Sequence, residues 1–439
     1  MNFNQGKIGK VQTVAFATIG CRANQADTAR MISILPHGFR EVKIDSDDCD
    51  IIIINTCAVT SRAEADARKI IRRARRRSPS STIVVTGCAA QTGSDKYASM
   101  PEVDHVIGIA QRDRIDEILG SISDTPRILH EKPSGGVLGP TPLDGHRSRP
   151  FLKIQDGCSR GCAYCIVPKA RGPERSRPME LILDDIAALS DTGYREIVLT
   201  GVHLGRWGID LDLQFDDLLE ALDKIDPDTR IRLSSIEPMD LTPDLIRRII
   251  EHPRICPHLH IPLQSGDQDI LDSMGRGHTL QEYESLLLAA IEADPDVGIG
   301  TDVMVGFPGE DISSHQNTIN YIKSLPISFL HIFKYSPRSG TSAFGMKNRP
   351  DGRDVHQRMK EMKSLDAAKR AAFRKSQNGR TRMCLVESPP WPPGYITALS
   401  DNYLRIRIQK GPDAPRAGQV VPVTIDINNN VDGETDNLA

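Results

Sequence analysis

Gly157-Cys158-Ser159-Arg160-Gly161-Cys162-Ala163-Tyr164-Cys165 places three thiols at the spacing Cys-x-x-x-Cys-x-x-Cys. Cysteine supplies nine of the 439 residues, so two more would follow a given one at both set positions only about four times in ten thousand. Chance is therefore a poor account of the spacing. Thiolates so placed can converge on a soft metal centre from one loop. Structural zinc usually takes four protein ligands, and this loop offers three. Three thiolates suit a 4Fe-4S cluster whose fourth iron stays open to a small molecule, and the loop is read as a catalytic cluster site. A structural metal or unligated thiols are the alternatives.

Immediately upstream, Phe151-Leu152-Lys153-Ile154 reads as a strand that leads into the loop. Further strands are expected at 196–200, 231–235, 258–263, 298–305 and 329–335. Helical patterns at 179–190, 242–251, 282–293 and 314–324 alternate with them. Six such units over residues 151–375 predict a partial (β/α)6 parallel barrel, with chemistry at the carboxyl ends of its strands. Those ends carry Thr200-Gly201-Val202-His203-Leu204-Gly205, then Ser234, Ser235 and Glu237, then Gln264-Ser265-Gly266-Asp267, then Asp302 with Gly306-Phe307-Pro308-Gly309-Glu310. Each alone is only a turn signal. Together with Tyr164 of the loop, the residues Gly201, Ser235, Glu237, Gln264 and Asp302 are the candidates for contact with a cofactor. His258 and His260 alternate along one strand and are read as structural rather than as metal ligands.

Residues 1–124 form a different pattern. Apolar runs at 14–18, 51–54, 83–85 and 106–109, separated by helical stretches, indicate a buried parallel sheet in an α/β domain. Cys21, Cys57 and Cys88 each follow one of the first three runs within two or three residues. Those positions share the carboxyl edge of a parallel sheet, where ligands bind, so the three thiols are expected to meet at one rim and hold a second cluster. Small thiols packed at strand ends are the plainer alternative. Cys49, Cys256 and Cys384 show no such pattern and are read as ordinary thiols.

Ser61-Arg62-Ala63-Glu64 reads as a capping box opening a helix. From Arg62 to Arg77 that helix carries eight basic residues against two acidic, in a chain whose net charge is only -3. A face so nearly one-signed points to phosphate contact, and Arg68, Arg72, Arg73 and Arg76 are the candidates. Residues 125–150 are rich in Pro and Gly and read as a linker. Residues 380–427 show short β runs and predict a small antiparallel β-barrel. Arg405 and Arg407 share a face there and are further candidates for RNA contact. The polar tail 428–439 reads as disordered. No apolar run approaches the roughly 18–20 residues of a membrane span, and no signal peptide opens the chain, so a soluble cytoplasmic protein with reduced thiols is expected.

With these motifs in place, the chain resembles the radical S-adenosylmethionine methylthiotransferases over nearly its whole length. Cys158, Cys162 and Cys165 match the radical signature. The segments Gly20-Cys21-Arg22-Ala23-Asn24-Gln25-Ala26-Asp27, Asn55-Thr56-Cys57-Ala58-Val59-Thr60 and Gly87-Cys88-Ala89-Ala90-Gln91 are similar to the family's N-terminal motifs. His260-Ile261-Pro262-Leu263-Gln264-Ser265-Gly266 and Gly306-Phe307-Pro308-Gly309-Glu310 match its barrel motifs. The resemblance implies two 4Fe-4S clusters, S-adenosylmethionine, a TRAM-like C-terminal barrel, an external electron donor and a sulfur source.

Within the family, Lys153-Ile154-Gln155-Asp156-Gly157-Cys158, Thr200-Gly201-Val202-His203-Leu204-Gly205, Ser234-Ser235-Ile236-Glu237-Pro238 and Tyr335-Ser336-Pro337-Arg338 look most like the branch that methylthiolates N6-threonylcarbamoyladenosine beside the anticodon of tRNA. Isopentenyladenosine in tRNA and an aspartate of a ribosomal protein are the rival substrates. A non-enzymatic iron–sulfur carrier or RNA-binding module is the rival of another class. The sequence departs from the family pattern at Trp207, at Lys334 and at the insert Pro389-Pro390-Trp391-Pro392-Pro393.

Overall fold

The structure, a computed structural model, describes residues 11–46, 49–122, 125–131, 148–387 and 394–430. The Pro-rich insert 389–393, most of the expected linker and the end of the polar tail lie outside the described residues. The chain divides into two compact units. The first takes the N-terminal residues together with Gly157–Ser159 and Cys165–Pro173, and the second takes the segment ending at Asp156, Arg160–Tyr164 and the chain from Glu174 onward.

The first unit is built on a six-stranded, wholly parallel sheet in the order β2-β1-β3-β4-β5-β6. Its strands are β1 (Gln12–Thr18), β2 (Phe39–Val42), β3 (Ile51–Thr56), β4 (Thr82–Gly87), β5 (His105–Ile107) and β6 (Ile128–Leu129). Every residue of β3 is buried, because helices cover both faces and no side of the strand meets water. Ile52, Ile54, Ile83 and Val85 pack with Ile71 and Ala74 of the helix Ser61–Arg77 on one face. Ile51, Ile53 and Val84 pack with Met31, Ile115 and Leu119 on the other.

Two of these strands were not read from the sequence. β2 and β6 are short sheet edges that remain partly exposed, so they carry no apolar run. β6 falls among residues whose composition suggested a linker. The cap of the basic helix also differs from expectation: Thr60, not Ser61, accepts the bond from Ala63 N, at 3.1 Å.

The second unit opens with β7 (Phe151–Lys153), followed by a short antiparallel ribbon of β8 (Gln155–Asp156) and β9 (Arg175–Ser176). Then come β10 (Glu196–Thr200), β11 (Arg230–Leu233), β12 (His258–His260), β13 (Gly298–Val305) and β14 (Phe329–Lys334). Parallel sheets β11-β10-β7 and β12-β13-β14 meet through a bridge between Ile231 and Ile255. The six barrel strands expected from the sequence are therefore present, and β7 and β14 are not paired to each other among the described residues. Trp207, the aromatic departure, is buried in the core of this unit, with its Nε1 donating to Arg177 O at 2.8 Å.

After the long helix Gly352–Ser376, the chain forms a four-stranded antiparallel sheet, β17-β16-β15-β18. These strands are β15 (Thr381–Val386), β16 (Tyr395–Ser400), β17 (Arg405–Gln409) and β18 (Val420–Thr424). The expected small antiparallel β domain is thus present as a sheet. It covers the amino ends of the barrel strands. Arg232 donates to Ser400 O at 3.0 Å and to Asp401 O at 2.8 Å, and Tyr403 stacks on His258 with ring centroids 4.2 Å apart. His258, also stacked on Phe329, is structural.

Beneath this cover lies the fully buried Glu196, which accepts from Arg230 and Arg232, both at 2.7 Å. Burial alone would raise its pKa, yet the guanidiniums of Arg232, Arg230 and Arg149 hold the carboxyl far below the usual range. Removing the carboxylate would strand buried arginines. Glu196→Ala is expected to cost about 3–5 kcal/mol, read as a lower urea midpoint followed by tryptophan fluorescence. An unaltered midpoint would show that the network is dispensable. No helix among the described residues is long and apolar enough to cross a membrane.

Candidate functional site

In the first unit the register of β1, β3 and β4 brings their carboxyl ends level, with Thr18 opposite Asn55 and Thr56 opposite Gly87. Cys21 is the N-cap of the helix Arg22–Ser33, Cys57 directly follows β3, and Cys88 begins the helix Cys88–Thr92. Gly20, at φ +111°, lets the first two approach, since a Cβ there would lie 2.7 Å from Cys57 Cβ and 2.9 Å from its Sγ. Asn24 ties the turns together by donating to Ile19 O at 2.8 Å and Thr56 O at 3.0 Å.

Cys57 and Cys88 are buried, Cys21 is exposed, and none is in a disulfide. Burial, with added repulsion from Cys88 and Cys21, pushes the Cys57 thiol up to about 12. Burial likewise raises Cys88, and Arg171 opposes the rise. Two buried thiols that resist ionisation, with Cys21 at the same sheet edge, fit a metal centre, whose positive charge would favour their thiolates. The register thus brings the strand ends that precede these cysteines to one edge of the sheet, as the sequence pattern implies.

The three-cysteine loop leaves and returns through the β8–β9 ribbon, where Asp156 meets Arg175 at 3.3 Å and Lys153 at 2.9 Å. Gly157, at φ +79°, is obligatory: a Cβ there would come within 1.8 Å of Pro173 O. Cys158 N donates to Gly172 O at 2.9 Å. Cys158 and Cys165 count with the first unit and Cys162 with the second, and all three are half-buried. Ala163 holds the loop's middle in the second unit, with its N–H donating to Met274 O at 2.8 Å and its carbonyl accepting from Ala343 N at 2.7 Å.

Around Cys162 and Tyr164 stands a residue that the sequence reading missed. Arg276 is buried, donates to Glu237 and to Pro262 O at 3.1 Å, and reaches Tyr164 Oη at 3.4 Å and Cys162 Sγ at 3.8 Å. It joins Glu237, an expected cofactor residue, to Cys162 and Tyr164 of the cysteine loop. A second missed group links Arg160 to Asp240 at 2.8 Å and Asp240 to His203. Burial alone would raise the Asp240 carboxyl, but His203 and Arg160 hold it below the usual range. Only flanking glycines (Gly275 and Gly277) hinted at Arg276, because an arginine's burial is not visible until its distant partners are known.

The remaining candidates fall into separate places. Gln264 is buried with a left-handed backbone at φ +73°, and its Oε1 has no hydrogen-bond partner among the described residues. A strained residue with an orphaned buried amide oxygen is a candidate for facing a ligand. Its N–H donates to Asp302 O at 2.8 Å, so Gln264 and Asp302 are neighbours. Asp302 accepts from His260 at 2.8 Å and lies 3.5 Å from His331. Burial opposes ionisation of Asp302, but the two imidazoles hold the carboxyl well below its usual range. Ligand atoms of these three lie within 4.8 Å of one another, near enough to hold one ion, although the His260–Asp302 hydrogen bond already accounts for two of them. Gly201 follows β10 beside Gln155, whose Oε1 accepts from His203 N at 2.7 Å. Ser235 is exposed, and among the described residues no hydrogen bond joins its side chain to the others.

The basic helix is less one-signed than its sequence. Asp45 pairs with Arg73 at 2.9 Å and with Arg77 at 3.2 Å, Asp104 with Arg75 at 2.5 Å, and Glu102 approaches Arg72 at 3.8 Å. Loops between the strands supply these acids. Arg68 and Arg76 have no carboxylate partner among the described residues, and Arg76 is exposed. Arg405 and Arg407 share a face of β17, an edge strand.

Comparison with known proteins adds the following. Residues 152–322 match the Radical SAM superfamily, and residues 13–108 match the uncharacterized protein family UPF0004. The threonylcarbamoyladenosine tRNA methylthiotransferase MtaB of Aquifex aeolicus is 36% identical over 402 residues, covering 90% of this chain and 96% of the relative. That of Bacillus subtilis is 37% identical over 365 residues, 80% of each chain. The tRNA-2-methylthio-N(6)-dimethylallyladenosine synthase of Thermodesulfovibrio yellowstonii is 31% identical over 421 residues, covering 95% of this chain and 96% of the relative. Among solved structures, the radical S-adenosylmethionine methyltransferase TsrM of Kitasatospora setae superposes with a TM-score of 0.56 at 13% identity, covering 76% of this chain and 77% of that one. That likeness is one of fold.

Proposed function

The chain belongs to the radical S-adenosylmethionine methylthiotransferases, and from that membership we propose that it converts N6-threonylcarbamoyladenosine beside the anticodon of tRNA to its 2-methylthio derivative. The observation that carries the reading is the pairing of two cysteine sets, a three-cysteine loop and a three-cysteine sheet rim, in one chain. Relatives named for the threonylcarbamoyl nucleoside are 34–37% identical, against 31–32% for those named for the dimethylallyl nucleoside.

Cys158, Cys162 and Cys165 would hold one 4Fe-4S cluster, and Cys21, Cys57 and Cys88 the other. The adenine carbon carries a C–H bond that no side-chain acid or base can break at neutral pH, so bound S-adenosylmethionine and its cluster supply a deoxyadenosyl radical for that step. The chain's own residues position and insulate. Arg276 holds Glu237 beside Tyr164 and Cys162 of the loop, and its guanidinium balances charge at Cys162. Gln264 offers a buried acceptor and Asp302 a held carboxylate to the bound molecule. An external electron donor, a sulfur source and a cytoplasmic setting complete the proposal. Mass spectrometry of tRNA nucleosides from a deletion strain tests it. Loss of the methylthio threonylcarbamoyl nucleoside is expected, and an unchanged profile would reject the assignment.

Phosphate contact by the basic helix rests on Arg68 and Arg76, the arginines that lack a carboxylate partner among the described residues. The double variant Arg68→Glu, Arg76→Glu is expected to weaken tRNA binding and to reduce its log–log salt slope by about 2, one unit per phosphate lost. Cleavage of S-adenosylmethionine without tRNA should be unaffected. An unaltered salt slope would remove this helix from the RNA surface.

A further inference from the structure

On the short helix Val167–Arg171, directly after the last loop cysteine, Arg171 is 1% exposed. Its Nε donates to Cys88 Sγ at 3.3 Å, and its Nη2 donates to Asn24 Oδ1 at 2.6 Å and to Asp27 Oδ2 at 2.8 Å. Asp27 also accepts from Arg112, at 2.5 Å. Asn24 is the residue that ties the turns of the cysteine rim together. A guanidinium is planar and permanently charged, so the Nη2 bonds to Asn24 and Asp27 fix the direction in which Nε points. That direction is the sulfur of Cys88. Ile166 and Ala170 of the same segment are buried in one core with Cys88, Ala89 and Ala90, which leaves the arginine little freedom to turn away.

We infer that Arg171 is a positioning residue for the cluster on Cys21, Cys57 and Cys88, donating a charge-assisted N–H···S bond to the Cys88 thiolate and raising that cluster's reduction potential. The inference rests on the assignment of those three cysteines as ligands. Hydrogen bonds to ligand sulfurs and burial are the levers by which a protein sets such potentials, and a cation stabilises the more negative, reduced form. The donor comes from the segment that follows the other cysteine set. The helix that follows the three-cysteine loop therefore carries a tuning group for the rim cluster.

The test uses the full chain carrying Cys158→Ala, Cys162→Ala and Cys165→Ala, so that any cluster loaded anaerobically with iron and sulfide sits on the rim. Iron content and the midpoint potential from an electron paramagnetic resonance titration are compared with and without Arg171→Gln, and with Arg171→Lys. The potential should move to more negative values in Arg171→Gln and by less in Arg171→Lys, which keeps the charge without the planar fork. A midpoint equal to the parent's in Arg171→Gln overturns the inference. If Arg171→Gln does not load a cluster, an unshifted midpoint in Arg171→Lys overturns it instead. If the triple-alanine parent itself binds no cluster, the ligand assignment has failed and the role of Arg171 falls with it.

Discussion

Cys162→Ala is expected to abolish formation of deoxyadenosine from S-adenosylmethionine. Losing even an outer-shell partner of a metal ligand typically costs 10–100-fold, so losing a thiolate from a set of three should exceed about 100-fold. The substituted residue is half-buried, and the backbone around it is fixed by bonds from Ala163 to Met274 and Ala343 rather than by the thiol. Alanine should therefore leave the fold intact. The assay is anaerobic reconstitution followed by chromatography of the nucleoside product, with circular dichroism as the control for folding. Undiminished deoxyadenosine from a folded variant would sink the ligand assignment of the loop.

Cys57→Ala should give the complementary result. The loop cysteines remain, so cofactor cleavage is expected to stay within about a factor of three of the parent, while methylthiolated tRNA falls by more than about 100-fold. The split matters more than either number. A merely structural Cys57, packed at a strand end, would lower both readouts together through lost stability or leave both intact. Normal methylthio product from the variant would show the three rim cysteines to be packing residues.

Much of the architecture was legible because parallel strands covered on both faces must be apolar along their length. Ile51-Ile52-Ile53-Ile54 could hardly be anything else. The shared edge of the strands that precede Cys21, Cys57 and Cys88 was legible for a related reason, since strand ends in a parallel sheet fall together whatever lies between them. What escaped the reading had no local signature. β2 and β6 are edges too short and too wet to leave an apolar run. Arg276 and Arg171 look in sequence like any surface arginine, and only partners far along the chain bury them. The charge of the basic helix was overread because Asp45, Glu102 and Asp104, which meet it in space, stand outside its sequence window.

One consequence concerns the order in which the ribosome delivers the chain. Ile166 and Ala170 belong to the core that contains Ala89, Ala90 and Tyr97, and Arg171 to the rim that contains Cys88. Domains generally fold as units, N-terminal first, as synthesis proceeds at about 5–20 residues per second. The N-terminal sheet can pair once β6 has emerged, yet its apolar face stays incomplete until Pro173 has left the exit tunnel several seconds later. A fragment cut after the sheet would carry an open apolar patch in place of those side chains, and would tend to aggregate. On that order the last side chains of the N-terminal core would arrive only after the cysteine loop itself has been made.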